Sequence, residues 1–429
     1  MTHDIVVDLG YGDAGKGTVV DWLCSPANGG GPVPAVVRFN GGAQAAHNVV
    51  TPDGRHHTFA QFGSGTFHAG VLTHLSRYVL VDPLALVAEA DHLVALGVPD
   101  ALDRLTVDRR ALLTTPYHRA ANRAREIARG AARHGSCGVG IGETAAYALA
   151  YEDDAPRVGD CADPRVLCRK LTLVRDRLSE ELGELQAPLV AACVEAFRAF
   201  AGSVRLVDDA YLPRLLRRGR VVFEGAQGVL LDEWQGFHPY TTWSTTTFAN
   251  AEALLAEAGL AGSARRLGVL RTYATRHGPG PFVTEDPALT AGLPDRHNSH
   301  GRWQGAFRVG HFDAVAIRYA LEVSGGADAL ALTHLDVAQA RADLRICRAY
   351  EIDDQRVERL PVGPPGDLDR QARLARRLLA ARPVCHRVAG GWIETVGEAL
   401  DLPVVLGSFG PTAADKRELR VRAGRGAAA

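Results

Sequence analysis

Lysine is scarce in this chain: of 48 lysine and arginine residues only three are lysines, Lys16, Lys170 and Lys416. Acidic residues balance the basic ones, and the formal net charge is −1 at pH 7. The basic excess that is typical of nucleic-acid-binding proteins is therefore missing, and we expect no nucleic-acid partner. Apolar runs are also too short to cross a bilayer, so we expect no membrane association.

The cysteine pattern excludes two further classes of site. The seven cysteines are odd in number and never occur as C-x-x-C. This pattern argues against a disulfide framework and against a zinc site, and it fits a reducing compartment. The segment Met1–Asp4 lacks the basic region and the long apolar stretch that a signal peptide needs. We therefore expect a cytoplasmic protein.

Short apolar runs alternate with amphipathic stretches, which predicts a largely parallel sheet covered by helices on both faces. We predict an α/β fold with one large domain over residues 1–420, which includes helical excursions, and a disordered tail at 421–429. The predicted strands are Ile5–Val7, Ala35–Arg38, Tyr78–Val81, Val221–Phe223, Leu267–Leu270, Ala329–Leu332 and Val404–Leu406. The predicted helices are Pro83–Leu96, Pro116–Arg133, Pro164–Phe200, Phe312–Val323 and Asp367–Ala381.

A glycine-rich loop, Gly10–Thr18, follows the first predicted strand and precedes a helical pattern. Backbone N–H groups in such a loop can approach an anion, and the dipole of the following helix favours negative charge. The loop nearly matches the P-loop pattern G-x-x-x-x-G-K-S/T, but Gly17 stands where the hydroxyl residue belongs. Asp13 would then have to supply metal binding or acid–base chemistry. The alternative is a plain glycine turn without a ligand.

Further polar or glycine-rich segments follow predicted strands, where ligands collect in open α/β sheets. One of them contains Asp336, whose carboxylate could accept hydrogen bonds from guanine N1–H and the 2-amino group, which favours GTP over ATP. Each segment alone also fits a simple explanation: a loop histidine, a helix cap or a turn. The segments are Arg38–Asn48, Val222–Gly228, Pro239–Thr247, Thr333–Asp336 and Gly407–Pro411.

Taken together and in this order, the segments resemble the adenylosuccinate synthetase family along nearly the whole chain. The family's F-E-G-A-Q-G-x-L-L-D is present as Phe223–Asp232, and its G-D-E-G-K-G is similar to Gly12–Gly17. Its G-G-x-N-A-G-H-T, Y-S-T-R-x-G-x-G-P-F, T-K-L-D and S-T-G-P resemble, respectively, Gly41–Asn48, Tyr273–Phe282, Thr333–Asp336 and Ser408–Pro411.

The resemblance implies a chemistry, in which GTP and Mg²⁺ are used to join aspartate to the 6-oxo position of IMP. Asp13 would remove the N1 proton of the lactam and contact Mg²⁺, with the Ala46 carbonyl as a second metal ligand. The oxyanion would attack the γ-phosphate, His47 would stabilise the moving charge, and Lys16 would hold the phosphoryl group. The family also shares its active site across a subunit interface, which implies a homodimer.

The resemblance assigns ligand-binding roles residue by residue. GTP would be bound by Gly12, Gly15, Lys16, Gly17, Thr18, His334, Asp336, Ser408, Gly410 and Pro411. The acceptor would be bound by Gln44, Cys137, Arg157, Gln227, Thr242 and His277. The amine donor, aspartate in the family, would be bound by Ser299, His300, Arg302 and Arg308.

Departures from the family pattern fall on substrate recognition and spare the residues that activate oxygen. Gln44 replaces an asparagine, Cys137 replaces the threonine that contacts the IMP phosphate, and Val139 replaces an arginine. His334, in place of the lysine, could stack on the base, and Trp303 is a new apolar residue in the amino-acid loop. We favour an altered acceptor: a modified purine, a nucleoside analogue or another lactam. The alternatives are drift in an ordinary enzyme, a non-catalytic GTP-binding paralogue, and a kinase that stops at the phosphorylated acceptor.

Overall fold

The structure is a computed structural model, and it describes residues 2–130, 133–295, 298 and 301–419. The predicted site residues Ser299 and His300 and the predicted tail 421–429 lie outside the described residues. None of the helices in the described part of the chain is long and apolar enough to span a membrane.

One ten-stranded sheet forms the centre of the molecule, with the order β20-β19-β15-β11-β1-β10-β2-β5-β7-β9. All of its neighbouring strands run parallel except β20, which is antiparallel to β19. The predicted mostly parallel sheet is confirmed. Its strands are β1 (His3–Asp8), β2 (Ala35–Arg38), β5 (Leu72–Leu75), β7 (Leu105–Asp108), β9 (Arg205–Val207), β10 (Val222–Glu224), β11 (Ala264–Arg271), β15 (Ala329–Thr333), β19 (Val404–Ser408) and β20 (Lys416–Glu418).

Smaller sheets and the helices surround this sheet. The remaining strands are β3 (His47–Val50), β4 (His56–Phe59), β6 (Leu80–Val81), β8 (Leu112–Leu113), β12 (Ala274–His277), β13 (Phe307–Gly310), β14 (Phe312–Asp313), β16 (Arg345–Ile352), β17 (Gln355–Val357) and β18 (Arg382–Arg387). The α-helices are α1 (Lys16–Cys24), α2 (Pro83–Ala95), α3 (Pro116–Arg129), α4 (Ile141–Ala150), α5 (Pro164–Leu182), α6 (Val190–Ser203), α7 (Tyr211–Leu216), α8 (Ala249–Glu257), α9 (Pro287–Gly292), α10 (Ala314–Val323), α11 (Leu335–Ala340), α12 (Leu368–Leu379) and α13 (Trp392–Leu400).

Two element predictions were wrong in detail. The run Tyr78–Val81 gives only the two-residue strand β6, which pairs with β8 outside the central sheet. The helix predicted over Pro164–Phe200 is two helices, α5 and α6, because the connecting segment contains Gly183 with a positive φ of 83° and a proline at position 188. Both residues disfavour a continuous helix.

The parallel sheet determines where a site can form. Strand β1 lies between β10 and β11, and all six of its residues are buried. Helices therefore cover both faces, and the polar residues that follow the strands gather at the carboxyl edge. The glycine loop follows β1, and the segments after β2, β10, β15 and β19 meet it at this edge. This arrangement brings together five segments that are far apart in the sequence.

Candidate active site

Asp8, the last residue of β1, holds the glycine loop in its curved shape. Its carboxylate accepts hydrogen bonds from the backbone N–H groups of Gly10 (2.8 Å), Gly12 (3.4 Å) and Ala14 (2.8 Å). The loop is tightly curved, with φ of 97° at Gly12 and 60° at Asp13. Such values suit glycine and are uncommon for other residues, so the conformation of Asp13 is imposed by its surroundings.

Lys16 lies at the start of α1 and is 3% exposed. Its ammonium group donates to the backbone oxygen of Gln227 at 2.7 Å and to the Asp8 carboxylate at 3.3 Å. The side chain therefore crosses from the loop after β1 to the turn after β10. A buried ammonium held between these two segments provides positive charge at the phosphate cradle that the sequence predicts.

Asp13 pairs with His277 at the end of β12. The distance from His277 Nε2 to Asp13 Oδ2 is 3.1 Å, and Nε2 is also 3.1 Å from Asn298 Oδ1. Burial alone would raise the pKa of Asp13, but the hydrogen bond and charge of His277, together with Lys16, lower it. Asp13 is therefore a carboxylate at neutral pH and can accept a proton or bind a cation. His277, which the resemblance assigns to acceptor binding, is in direct contact with this carboxylate.

His47, the first residue of β3, and Glu224, the last residue of β10, form a buried pair. His47 Nδ1 is 2.6 Å from Glu224 Oε1, and the backbone N–H of Ser64 donates to Glu224 Oε2 at 2.9 Å. Burial lowers the pKa of His47 to about 4, although Glu224 raises it. Burial would raise the pKa of Glu224, but its charged and hydrogen-bonding neighbours lower it to about 2. The free protein thus holds a neutral imidazole that donates Nδ1–H to a carboxylate and leaves Nε2 unprotonated.

The loop, the imidazole and the turn after β10 are in close contact. A Cβ atom at Gly17 would lie 2.8 Å from His47 Cβ, so the glycine allows β3 to approach α1. A Cβ atom at Gly41 would lie 3.0 Å from Gln227 Oε1, and one at Gly12 would lie 3.7 Å from the Gln227 backbone. Asp13 thus lies within the loop and His47 packs against its end, which is the arrangement that the resemblance implies.

The segments that would hold the base are joined to the glycine loop by side-chain hydrogen bonds. Thr18 Oγ1 donates to the Pro411 oxygen at 2.9 Å, and Thr333 Oγ1 donates to the Ala14 oxygen at 2.7 Å. Ser408 Oγ donates to the Gly410 oxygen at 3.1 Å. The ends of β15 and β19 thus lie directly beside the phosphate cradle.

His334 and Asp336 differ in their surroundings. His334 has a φ of 58°, its Nε2 is 2.9 Å from an Arg271 nitrogen, and its Nδ1 is 2.8 Å from Thr333 Oγ1. The imidazole is therefore hydrogen-bonded within the protein at both nitrogens, and its ring packs edge-on against Tyr273. Asp336, in contrast, is exposed in the first turn of α11. The carboxylate that we expect to read a base thus faces solvent.

The residues assigned to the acceptor contain buried polar atoms that bind nothing in the described protein. These atoms are Nε2 and Oε1 of Gln44, Oε1 of Gln227 and Nδ1 of His277. Burial raises the pKa of the Cys137 thiol, which is therefore uncharged. Unpaired buried amides are rare, because each costs about 1–3 kcal/mol, and here they indicate a place for a ligand with both donors and acceptors.

Three other residues assigned to the acceptor or to the amine donor already form hydrogen bonds within the protein. An Arg157 nitrogen donates to the Arg110 backbone oxygen at 2.9 Å, and the backbone N–H of Thr242 donates to the Leu231 oxygen at 2.8 Å. Arg308 donates to Glu285 and to the Gly278 oxygen, both at 2.6 Å.

Arg302 is exposed and lies over the ring of Trp303, at 5.2 Å from its centroid. Trp303 packs on Gly138, where a Cβ atom would approach the indole ring to 2.8 Å. The amino-acid loop therefore covers the segment that contains Cys137. Among the arginines assigned to the amine donor, Arg302 is the one with no carboxylate partner in the described part of the chain.

Oxygen atoms of Asp13 and Ala46 would suit the Mg²⁺ ion that the resemblance implies. The structure shows no group of three or more His, Cys, Asp or Glu side chains that could hold a metal among the residues it describes. Mg²⁺ usually takes one or two carboxylates and completes its shell with phosphates and water. The charged Asp13 carboxylate and the exposed Ala46, with its backbone carbonyl, match that requirement.

Two residues that support the site, Asp8 and Glu224, were not predicted from the sequence. Each is fully buried, and each is the last residue of its strand and directly follows at least two apolar residues. An acidic residue at the carboxyl end of a buried strand is the signal that could have identified them.

Comparison with known proteins gives the family. A family model described as adenylosuccinate synthetase matches residues 5–411, which include every segment of the site up to Pro411. The chain belongs to the adenylosuccinate synthetase family. Members of this family are GTP-dependent C–N ligases, so the predicted enzyme class is confirmed.

Curated relatives in the adenylosuccinate synthetase family extend over most of the chain. The adenylosuccinate synthetase of Desulfovibrio desulfuricans is 34% identical over 384 residues, with 84% of each chain covered. That of Nostoc punctiforme is 33% identical over 411 residues, which covers 94% of this chain and 86% of the relative.

Two solved structures share the fold at 20% sequence identity. A fully ligated adenylosuccinate synthetase from Plasmodium falciparum superposes with a TM-score of 0.83 and covers 98% of this chain and 100% of its own. The succinoaminodeoxyadenylate synthetase of cyanophage S-2L, bound to dGMP and to dATP as an energy donor, has a TM-score of 0.62 and covers 97% of this chain and 96% of its own.

Proposed function

We propose that this protein uses GTP and Mg²⁺ to phosphorylate the 6-oxo oxygen of IMP or of a related purine-like lactam, and then replaces that phosphate by an amine, with aspartate as the donor. The proposal rests on the observation that one glycine loop contains one acid–base group and packs against another. The Asp13 carboxylate lies beside Lys16, and His47 packs on Gly17 with Glu224 behind it. A protein that only binds a nucleotide has no use for both groups.

The reaction assigns one task to each of these side chains. Asp13 accepts the lactam N–H proton, and the resulting oxyanion forms a bond to the γ-phosphorus while the bond from that phosphorus to the bridging oxygen of GDP breaks. Lys16 and the loop N–H groups hold the transferring phosphoryl, which is mainly electrostatic work. The amine nitrogen then bonds to the ring carbon, the C–O bond breaks, and phosphate and a proton leave.

His47 would act on the oxygen that is phosphorylated. Negative charge near Nε2 favours protonation of the imidazole, and Glu224 stabilises the resulting positive charge across Nδ1. Mg²⁺, when bound by Asp13, the Ala46 carbonyl and the nucleotide, supplies positive charge that offsets the charge of the phosphates.

We also propose that the acceptor differs from IMP at its phosphate end. By the resemblance, Cys137 takes the place of a threonine that contacts the IMP phosphate, and its uncharged thiol offers a phosphate no positive charge. The indole of Trp303 packs on Gly138 beside it and adds apolar surface there. The unpaired amides of Gln44 and Gln227 would bind the C=O and N–H edge of a lactam. By analogy with the family, we propose that the enzyme is a cytoplasmic homodimer.

The direct test is a coupled assay for GDP and phosphate with purified protein, GTP, Mg²⁺, aspartate and either IMP, inosine or hypoxanthine. We expect turnover with an oxo-purine and incorporation of aspartate nitrogen, seen by mass spectrometry. Asp13→Asn should abolish turnover while GDP binding persists. A phosphorylated product without nitrogen would favour a kinase. Tight GTP binding with no turnover on any oxo-heterocycle would favour a non-catalytic paralogue and would refute the proposal.

The same assay measures which acceptor the enzyme prefers. If the site excludes a 5′-phosphate, kcat/KM for inosine or another unphosphorylated lactam exceeds that for IMP. The variant Cys137→Thr should then raise kcat/KM for IMP and leave that for inosine almost unchanged. Preference of the wild-type protein for IMP would contradict the altered acceptor but not the ligase chemistry.

A further inference from the structure

The three lysines have separate surroundings in this arginine-rich chain. Lys16 belongs to the glycine loop, and Lys170 binds the Asp160 carboxylate at 2.9 Å and the Ala155 oxygen at 3.1 Å, away from that loop. Lys416 is 7% exposed and is part of neither the glycine loop nor the Asp160 ion pair. A buried lysine without a role in the proposed chemistry needs an explanation, because burial of an ammonium group is costly.

The sheet places Lys416 in a row with the candidate base-binding segments. In the antiparallel pair of β20 with β19, Lys416 lies opposite Ser408. In the parallel pair of β19 with β15, Gly407 lies opposite Leu332, so Ser408 neighbours Thr333 one residue further on. Lys416, the first residue of β20, therefore lies beside the ends of β15 and β19, where the segments Thr333–Asp336 and Ser408–Pro411 begin.

The ammonium group of Lys416 uses only some of its hydrogen-bond donors within the described protein. It donates to the backbone oxygens of Gly410 and Thr412, both at 2.9 Å. An ammonium group has three protons, so these contacts leave one donor over in the part of the chain that the structure describes. Burial lowers the pKa of Lys416 to about 8, while Asp415, Asp21 and Asp336 raise it. At pH 7 it thus carries charge within electrostatic reach of Asp336.

We propose that Lys416 is a specificity-determining residue of the nucleotide-base site, and that it donates to the 6-oxo oxygen of a guanine whose N1–H and 2-amino group bind Asp336. Guanine presents one acceptor beside two donors along this edge, which matches a cation beside a carboxylate. Adenine has an amino group in place of the 6-oxo oxygen and would meet the ammonium with the wrong polarity. The inference rests on the proposed use of GTP.

The test compares ligands that change one group of the base at a time. Calorimetry of the full-length protein at pH 7 uses GDP, 6-thio-GDP and IDP with Mg²⁺. The 6-thio base exchanges only the 6-oxo oxygen for a weaker acceptor, whereas IDP lacks only the 2-amino group. Wild-type protein should bind GDP several-fold more tightly than either analogue.

The variants should separate the two contacts. Lys416→Met should weaken GDP binding roughly tenfold, as expected for loss of a charged hydrogen bond, and should bring the ratio of 6-thio-GDP to GDP dissociation constants close to one. Its IDP to GDP ratio should stay at the wild-type value. Asp336→Ala should show the reverse: its ratio of IDP to GDP dissociation constants should fall close to one, while its ratio of 6-thio-GDP to GDP dissociation constants should stay at the wild-type value.

Each ratio is measured within one variant, so a general loss of affinity or of folded protein cancels. Lys416→Gln provides a second, polar replacement should the methionine variant not fold. If the ratio of 6-thio-GDP to GDP dissociation constants is unchanged in these Lys416 variants, Lys416 only stabilises the turn at residues 410–412. That result would overturn the inference. Absence of guanine-nucleotide binding in wild-type protein overturns both the inference and the proposed function. The predicted pattern without ligase turnover supports the inference and refutes the function alone.

Discussion

At the scale of single residues, two carboxylates at strand ends support the groups that would carry the chemistry. Asp8 orients the N–H groups of the glycine loop, and Glu224 orients the His47 imidazole. Both are fully buried. They determine where charge and protons lie before a substrate arrives, which is what preorganised electrostatic catalysis requires.

The Glu224 carboxylate can be tested with an isosteric change. Glu224→Gln keeps the size and one acceptor but removes the negative charge that supports a protonated His47. We expect kcat to fall roughly 10- to 1000-fold, by comparison with other carboxylate–histidine pairs, while GDP affinity stays within about twofold.

Glu257→Gln is the matched control, because Glu257 pairs with Arg77 on the surface, away from the glycine loop. Wild-type kcat in Glu224→Gln would show that His47 does not need the charge. A similar loss in both variants would point to a general effect on the fold.

Some residues of the candidate site could be predicted from the sequence, and others could not. The glycine loop, His47 and Gln227 occur in short local patterns, so their proximity followed from the rule that ligands collect at strand ends. The contact between His277 and Asp13 joins residues far apart in the chain, and no local pattern encodes it. The hydrogen bonds that occupy His334 likewise depend on Arg271, a residue of a neighbouring strand.

At the scale of elements, the site depends on close approach of α1 and β3. A Cβ atom at Gly17 would lie 2.8 Å from His47 Cβ and 3.2 Å from the Asn48 oxygen. Gly17→Ala should push β3 away from the helix. We expect kcat to fall at least tenfold and the free energy of unfolding to fall by about 1–3 kcal/mol.

Gly202→Ala is the control, since no atom lies within 4 Å of a Cβ atom at that position in α6. Steady-state kinetics and urea denaturation of both variants provide the comparison. Equal behaviour of the two alanine variants would show that the helix and strand can separate without consequence.

The N-cap of α10 predicts a pH dependence of stability. Asp313 accepts a hydrogen bond from the Ala316 N–H at 3.0 Å and from the Tyr350 hydroxyl at 2.6 Å, and burial raises its pKa to about 6. A raised carboxyl pKa means that the protonated form is favoured in the folded state. Its contribution to stability is therefore complete below about pH 4 and is lost as the pH rises through 6.

The variant Asp313→Asn keeps a cap but does not titrate. Between pH 4.5 and 7.5, its free energy of unfolding should rise relative to wild type by roughly 2 kcal/mol, the part of the effect of the raised pKa that falls within this pH range. Urea denaturation at both pH values measures the difference. A constant difference between the two proteins would contradict the raised pKa.

Elements were predicted well where apolar residues are consecutive and poorly where polar residues interrupt them. Strands β1, β2, β11 and β15 and helices α2 and α10 were recognised within a few residues. Strands β5, β7 and β9 were not, because their three or four residues mix polar and apolar side chains. Their place in the sheet comes from pairing with neighbours rather than from local propensity.

At the scale of the whole molecule, the site joins parts of the chain that are distant in sequence. The hydrogen bonds from Thr333 to Ala14 and from Thr18 to Pro411 span 319 and 393 residues. A nucleotide bound here contacts only the folded state, so it should stabilise the entire domain. At 100 times its dissociation constant the gain is about 2.7 kcal/mol.

Differential scanning fluorimetry tests this coupling. The midpoint of thermal unfolding should rise steadily with GDP concentration in wild-type protein and should not respond in Lys16→Ala, which lacks the ammonium of the cradle. A wild-type midpoint that is insensitive to millimolar GDP and GTP would contradict nucleotide binding at this site.

The two threonine hydrogen bonds that fasten the glycine loop to the ends of β15 and β19 have a consequence for ligand length. They fix the separation between the Lys16 ammonium and Asp336 in the absence of any ligand. In the proposed binding mode, with the base at Asp336 and the terminal phosphates at the glycine loop, a guanine nucleotide has to match that separation. A nucleoside lacks the phosphates that Lys16 would bind, and we expect a monophosphate to bind more weakly than a di- or triphosphate. Guanosine and GMP should accordingly be poor competitors of GTP, although they carry the same base.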